Sequence, residues 1–190
     1  MLLKKIVIIG PESTGKSTLC EQLAKHYHTH WVKEYARQYL LQHGKTYTFE
    51  NLLDIAKGQI ALEEAIIENS IGELLMADHP PHHLHRSPIF IDTDMYVMKV
   101  WCEFVFDKCH SWILNQIAER KYDLYLLCNT DIPWVKDELR EYPDIESRQQ
   151  LYHIYKDAMI NQHTPWTDIS GLPEERLQKA IEAVDKLLHH

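Results

Sequence analysis

The sequence predicts an open α/β sheet of about five parallel strands flanked by helices, and three observations carry that reading. Short aliphatic runs alternate with stretches of helical periodicity along the chain. The runs are continuous, with no apolar/polar alternation, as strands covered on both faces require. A glycine-rich stretch, GPESTGKST at residues 10–18, stands between the first run and the first helix. At 190 residues the chain suits one sizeable core, so a single domain over 1–190 is expected.

The elements follow in order. Ile6 to Ile9, ended by Gly10, reads as the first strand, and Leu19, Leu23 and Tyr27 recur at helical spacing after it. A short second strand is expected over Trp31–Glu34, with a helix from about Tyr35. TFENLLDIAKGQIALEEAIIENS reads as a longer amphipathic helix with Leu53, Ala56, Ile60 and Ile67 on one face. SPIFIDTD is a strand opened by proline and closed by aspartates, and Val97, Trp101 and Phe104 return to helical spacing. YDLYLLCN is the fourth strand, ESRQQLYHIYKDAMINQ a helix, PWTDISG a weaker fifth strand, and LPEERLQKAIEAVDKLL a final helix started by Pro173. Parallel strands need helical crossovers, and in such sheets ligands bind at the carboxyl ends of the strands.

Composition narrows the function classes. The hydrophobic share of 45% and charged share of 25% are ordinary for a globular protein, and the net charge of −8 argues against a surface that tracks nucleic-acid phosphates. Cys20, Cys102, Cys109 and Cys128 form no CxxC pair and read as free thiols in a reducing cytoplasm. The N-terminal apolar run is too short for a signal peptide or a spanning helix, so no membrane partner is expected. Residues 78–88, DHPPHHLHRSP, read as a proline-rich solvated loop in preference to a metal site, because prolines prevent the helical i, i+4 pairing of histidines.

Gly10 to Ser17 matches G-x-x-x-x-G-K-[ST] between a strand and a helix, the context in which that spacing binds a nucleoside triphosphate. Backbone amides over Gly10, Glu12, Ser13, Thr14, Gly15, Lys16, Ser17 and Thr18 are expected to cradle the phosphates of ATP at a helix N-terminus. Lys16 neutralises their charge and Ser17 holds Mg²⁺.

The other strand ends supply the candidates for chemistry. Asp92 closes the third strand, from where a carboxylate reaches the Mg²⁺ shell through water; Asp94 is either a site residue or a helix N-cap. Glu34 ends the second strand, placed to accept the proton of an attacking hydroxyl, with Arg37 beyond it for substrate or phosphate. A plain surface Glu34–Arg37 pair is the alternative. NTDIPWVKDELREYPDIESR, with Asp131, Pro133, Trp134, Asp137, Arg140 and Arg148, suits a lid near 129–148. Its arginines would swing onto the transferring phosphoryl group and Trp134 would stack on a ring; the alternative buries Trp134 in the core and leaves the arginines on the surface.

Taken together, GPESTGKSTL, VKEYARQYL, IAKGQ, FIDTD, YDLYLLCNTDIPWVKDELRE and ISG resemble the ribosylnicotinamide kinase domain of the NadR family, in order from near residue 5 to near residue 180. The resemblance implies a P-loop kinase-like fold and ATP-dependent phosphorylation of the 5′-hydroxyl of nicotinamide riboside to nicotinamide mononucleotide in NAD salvage. It implies site roles for Glu34, Arg37, Asp92, Asp94, Trp134 and Arg140. By analogy with related nucleoside kinases, Glu34 is the first choice for general base and Asp92 for the Mg²⁺ shell, with exchange of the two roles open. The sequence has no HxGH-type nucleotidyltransferase motif and no stretch before Met1 for further domains, so the mononucleotide and not NAD is the expected product.

Two alternatives stand beside this reading. A P-loop kinase for another nucleoside or small metabolite shares the fold and loop. Nicotinamide riboside needs an aromatic face for its pyridinium ring, from Trp134 or a tyrosine, and an acceptor for the ribose diol, from Asp94. A nucleotide-dependent switch resembling a small GTPase needs DxxG after the third strand and an NKxD reader. DISG fits the first pattern but lies at the fifth strand, and NTDI is a poor match to the second. Adenine contacts are expected from the lid base and from the loop near Gly171.

Overall fold

A computed structural model describes residues 3–76 and 87–189. In chain order the elements are β1 (Leu3–Ile9), α1 (Lys16–Tyr27), β2 (Trp31–Val32), α2 (Tyr35–His43), α3 (Phe49–Met76), β3 (Ser87–Asp92), α4 (Met95–Phe106), α5 (Ser111–Glu119), β4 (Leu124–Cys128), α6 (Ile145–Ile160), β5 (Trp166–Ile169) and α7 (Pro173–His189). The five strands form one parallel sheet in the order β2-β3-β1-β4-β5. This is the expected open α/β sheet with P-loop kinase-like topology.

Alternation along the central strands sorts the core into two layers. Ile6, Ile8, Leu124, Leu126 and Ile169 face α1 and α7, and Val7, Ile9, Ile89, Ile91, Tyr125 and Leu127 face the side of α4 and α6. Covering both faces leaves Ile6–Ile9 of β1, Ile89–Ile91 of β3 and Leu124–Cys128 of β4 buried, which is why they read as continuous runs. A third cluster, with Ala36, Leu52, Ile55, Met98 and Ile113, joins α2, α3, α4 and α5 beside the sheet.

Two differences from the expected elements concern helices. Ser111–Glu119 forms α5, where no helix was expected; it is nine residues long and buries only Ile113, too few positions to show a period. The α3 helix continues past Ser70 to Met76. The histidine-rich stretch, up to Arg86, lies outside the described residues. No described helix is long and apolar enough to cross a membrane.

The connection leaving β1 runs past β3 to β2, and the one leaving β3 runs past β1 to β4. The chain therefore departs in opposite directions from the carboxyl ends of β1 and β3, where parallel sheets open a crevice. Register pairs Ile8 with Asp92, placing the glycine-rich loop beside the end of β3.

Candidate active site

The loop at residues 10–17 is shaped by backbone that most residues avoid. Gly10 has φ 139°, and a Cβ there would meet the carbonyl oxygen of Cys128 at 2.6 Å, so only glycine lets β1 turn against β4. Ser13 sits at φ 56°. Gly15, at φ 79°, caps α1 with no side-chain hydrogen bond, which leaves the first amides of the helix to meet an anion. Thr14 Oγ1 donates to Pro11 O at 2.7 Å, and Lys16 Nζ to the same oxygen at 2.9 Å.

Two arginines hold this loop from behind. Arg176 is 5% exposed and donates to Thr14 O at 2.7 Å, to Asn129 O and to Asp131 Oδ1. Arg148, 3% exposed, donates to Ser13 O at 3.3 Å and Ile132 O at 3.2 Å. With the carbonyls drawn back, the loop amides are free to face the cavity. The expectation that Arg148 swings onto a phosphoryl group is therefore corrected: it lies on α6, buried among backbone carbonyls. Arg176 is not recognisable in the sequence, where a charged residue on an amphipathic helix reads as surface.

Asp92 is fully buried at the end of β3, and Ser17 Oγ donates to its Oδ2 at 2.5 Å. Its Oδ1 is buried and has no hydrogen-bond partner among the described residues. Burial, and then the negative charge of Glu34, raise its pKa to about 7, against the opposing pull of Lys16 and Ser17. An orphaned carboxylate oxygen beside a serine hydroxyl suits an oxygen-seeking cation, so the pair fits Mg²⁺.

Glu34 stands at the N-cap position of α2 and lines the cavity. Thr93 Oγ1 donates to its Oε1 at 3.4 Å. Thr93 itself has φ 81°, a strained conformation for a β-branched residue, between Asp92 behind Ser17 and Asp94 at the N-cap of α4. Beneath Glu34, Gln59 accepts from Tyr35 N at 2.7 Å and donates to Lys33 O and Asp92 O, tying the end of β2 to the end of β3. Gly58 makes this possible, because a Cβ there would lie 2.0 Å from the Tyr35 ring. The IAKGQ stretch thus supports the site without touching the cavity.

A cavity of about 250 Å³ joins the loop residues 10–18 to Glu34 and Arg37, to Val97, Val100, Trp101 and Phe104 of α4, to residues 139–142, and to Leu151 and Tyr155 of α6. The phosphate loop and the aromatic side chains of Trp101, Phe104, Tyr142 and Tyr155 line this one cavity. Phe104 and Tyr142 meet edge to face at 5.2 Å.

The segment 129–144 has no helix or strand and runs over this cavity. Glu12 accepts from Glu141 N at 2.9 Å and Tyr142 N at 2.5 Å, and Ser13 Oγ accepts from Val135 N at 2.9 Å. On the other side, Arg37 makes a bidentate pair with Asp137, both contacts 3.1 Å. Arg140 lines the cavity and donates to Val135 O. Asp131, at the base, accepts from Gly171 N and Arg176 and so ties the lid base to the loop after β5, the two segments expected to contact adenine.

The structure thus brings Lys16, Ser17, Glu34, Arg37 and Arg140 to one cavity, with Asp92 behind Ser17. It does not bring Asp94 or Trp134 there. Asp94 is the N-cap of α4, accepting from Tyr96 N and Val97 N, and its other oxygen accepts from Tyr125 OH at 2.8 Å. With both oxygens engaged and the residue 1% exposed, it is not presented to a ribose diol. Trp134 leans on the phosphate loop, its Nε1 3.5 Å from Glu12 Oε1. The aromatic face comes instead from Trp101, Phe104, Tyr142 and Tyr155. Trp101 and Phe104 carry a helical spacing that reads as core; what marks them as wall is their partial exposure, which spacing does not reveal. Asp168 of DISG is held by Asn129 and Tyr152 and does not line the cavity.

Known proteins agree with this architecture. Over 188 residues the chain is 23% identical to the trifunctional NAD biosynthesis/regulator protein NadR of Escherichia coli (strain K12), and equally to that of Salmonella typhimurium (strain LT2). That match covers 98% of this chain and 43% of each relative, so the chain spans less than half the length of the curated relatives it matches. A crystal structure of NadR protein in complex with NR superposes with a TM-score of 0.74 at 20% identity, covering all of this chain and 50% of that one. NadR in complex with NAD and AMP-PNP gives 0.71 at the same identity and coverage. Thymidylate kinase from Ehrlichia chaffeensis gives 0.66 at 14% identity over 96% of this chain and 98% of that one. The resemblance to NadR read from the motifs accordingly extends to the whole fold. Residues 5–176 match the family model AAA_28, described as an AAA domain, and the chain belongs to that family.

Proposed function

We propose that this chain is an ATP-dependent kinase that phosphorylates the 5′-hydroxyl of nicotinamide riboside to nicotinamide mononucleotide, with 1–190 acting as one kinase domain and 129–148 as its lid. The observation that carries the reading is the position of Glu34: a carboxylate lining the same cavity as a phosphate-binding loop and a set of aromatic side chains. A NadR of the same fold is known with nicotinamide riboside and, separately, with NAD and AMP-PNP, which supports the choice of both substrates.

In this reading the amides at the start of α1 and Lys16 take the triphosphate of ATP. Ser17, backed by Asp92, would hold Mg²⁺, which when bound neutralises charge on the phosphates. Glu34 accepts the proton of the acceptor hydroxyl as its oxygen bonds to the γ-phosphorus and the bond to the ADP oxygen breaks. Arg140 and Arg37 face the same space and supply positive charge to the transferring group. The acceptor's cationic ring lies against Trp101, Phe104, Tyr142 or Tyr155, where an aromatic face favours a cation. The geometry favours Glu34 over Asp92 as the base, because Asp92 is enclosed and engaged by Ser17.

ADP release measured across a panel of nucleosides tests the substrate assignment. The greatest kcat/KM is expected with nicotinamide riboside; a clear preference for thymidine or adenosine would replace it with the kinase of another nucleoside.

A further inference from the structure

A continuous run of hydrogen bonds connects the aromatic end of the cavity to the phosphate loop by way of the lid. Trp101 Nε1, on the cavity wall, donates to Tyr47 OH at 2.9 Å. Tyr47 OH donates to Glu141 Oε2 at 2.9 Å. The backbone amide of Glu141 in turn donates to Glu12 Oε2, and that of Tyr142 to Glu12 Oε1. Glu12 is in the phosphate loop, so four side chains from the loop after α2, from α4, from the lid and from the loop after β1 form one path.

Glu141 is the joint in this path, with its side chain committed to the acceptor end and its amide to the donor end. The other ties on this side of the lid are exposed: Arg37 with Asp137, and Lys45 with Glu138 at 3.5 Å. Exposed ion pairs hold a segment weakly; the Tyr47–Glu141 bond is exposed as well, but Tyr47 itself is half-buried, its ring edge to face with Trp101 at 5.0 Å. We infer that Tyr47 and Glu141 are positioning residues that couple the two substrate sites: a ligand against Trp101 steadies Tyr47 and Glu141, and thereby the lid on Glu12, so each substrate binds more tightly once the other is in place. Linkage makes the effect reciprocal, the same factor in either order. The inference rests on the kinase reading for the identity of the acceptor, but the hydrogen-bond path does not.

Two measurements on the full chain separate these dependencies. Amide hydrogen exchange on the ligand-free protein is expected to be about tenfold faster at Glu141 and Tyr142 in Tyr47→Phe than in the parent, although Tyr47 bonds to neither amide. Unchanged protection there would overturn the linkage. Calorimetry of AMP-PNP with and without nicotinamide riboside is expected to give a coupling factor of about five or more in the parent. In Tyr47→Phe that factor should fall to near one. A factor that survives Tyr47→Phe, or a parent factor of one with both ligands bound, would also overturn the proposal. Absence of any nicotinamide riboside binding, with the exchange effect present, would overturn the substrate assignment and leave the linkage standing.

Discussion

The phosphate loop and the lid that crosses it are held by contacts of different kinds. Behind the loop, Arg148 and Arg176 are almost fully buried and bond to backbone carbonyls, and Gly10 packs against Cys128 with no room for a side chain. Over the cavity, the outer edge of the lid rests on the exposed pairs Arg37–Asp137 and Lys45–Glu138. Removing one partner of a buried charge interaction strands the other, whereas exposed pairs are screened by water. The phosphate loop, the donor side in the proposed reaction, is thus held in one shape, and the outer edge of the lid is held weakly.

Lys16→Ala should have the largest effect, a loss of kcat/KM on the order of 10³-fold with the melting temperature nearly unchanged. A coupled ADP assay beside a thermal melt checks both halves, and retained turnover would remove the phosphate-loop mechanism. Arg176→Met tests the rigidity assigned to the donor side. It leaves Thr14 O, Asn129 O and Asp131 without their donor and should reduce unfolding stability by about 2–3 kcal/mol in a urea titration.

Glu34→Gln should lower kcat by about 10²-fold or more while AMP-PNP affinity stays within about threefold. An unchanged kcat would exclude Glu34 as the base and return that role to Asp92.

A pH-dependent difference follows from Asp94, whose pKa burial raises to about 7 against the opposing hydrogen bonds from Tyr125, Val97 and Tyr96. Its folded pKa lies above its unfolded value near 4, so the folded state binds the extra proton. Its contribution is therefore full below about pH 4 and is lost as pH rises through 7. Between pH 5 and pH 8 the ligand-free melting temperature should fall by about 5 °C more in the parent than in Asp94→Asn. The smallest effect belongs to the lid edge: Asp137→Asn should change stability by about 0.5 kcal/mol, a difference that shrinks further in high salt.

The same division governs how much could be read from the chain itself. Strands β1, β3 and β4 and the phosphate loop are legible because their signals are contiguous: an aliphatic run, a glycine pattern, an aspartate at a strand end. Asp92 follows once the end of β3 is placed, whereas the second strand stops at Val32, short of the Glu34 expected to end it, and Glu34 stands at the N-cap of α2. Asp94 and Trp134 did not stay with the site because a sequence position does not reveal which way a side chain points. Asp94 turns back to cap α4 and bond Tyr125, and Trp134 leans on Glu12. Thr93 at positive φ, Gly58 against Tyr35, and the arginines behind the loop have meaning only once distant elements meet. The aromatic wall is assembled from α4, α6 and the lid, so no single stretch announces it.

The central claim is that the donor loop and the aromatic pocket serve one transfer between them. Its most direct test is to follow a γ-phosphoryl label from ATP with nicotinamide riboside present and identify the labelled product by mass spectrometry and phosphorus NMR. Label on the 5′-oxygen of nicotinamide mononucleotide, lost in Lys16→Ala and strongly reduced in Glu34→Gln, is the predicted result. Label found only in inorganic phosphate would contradict it.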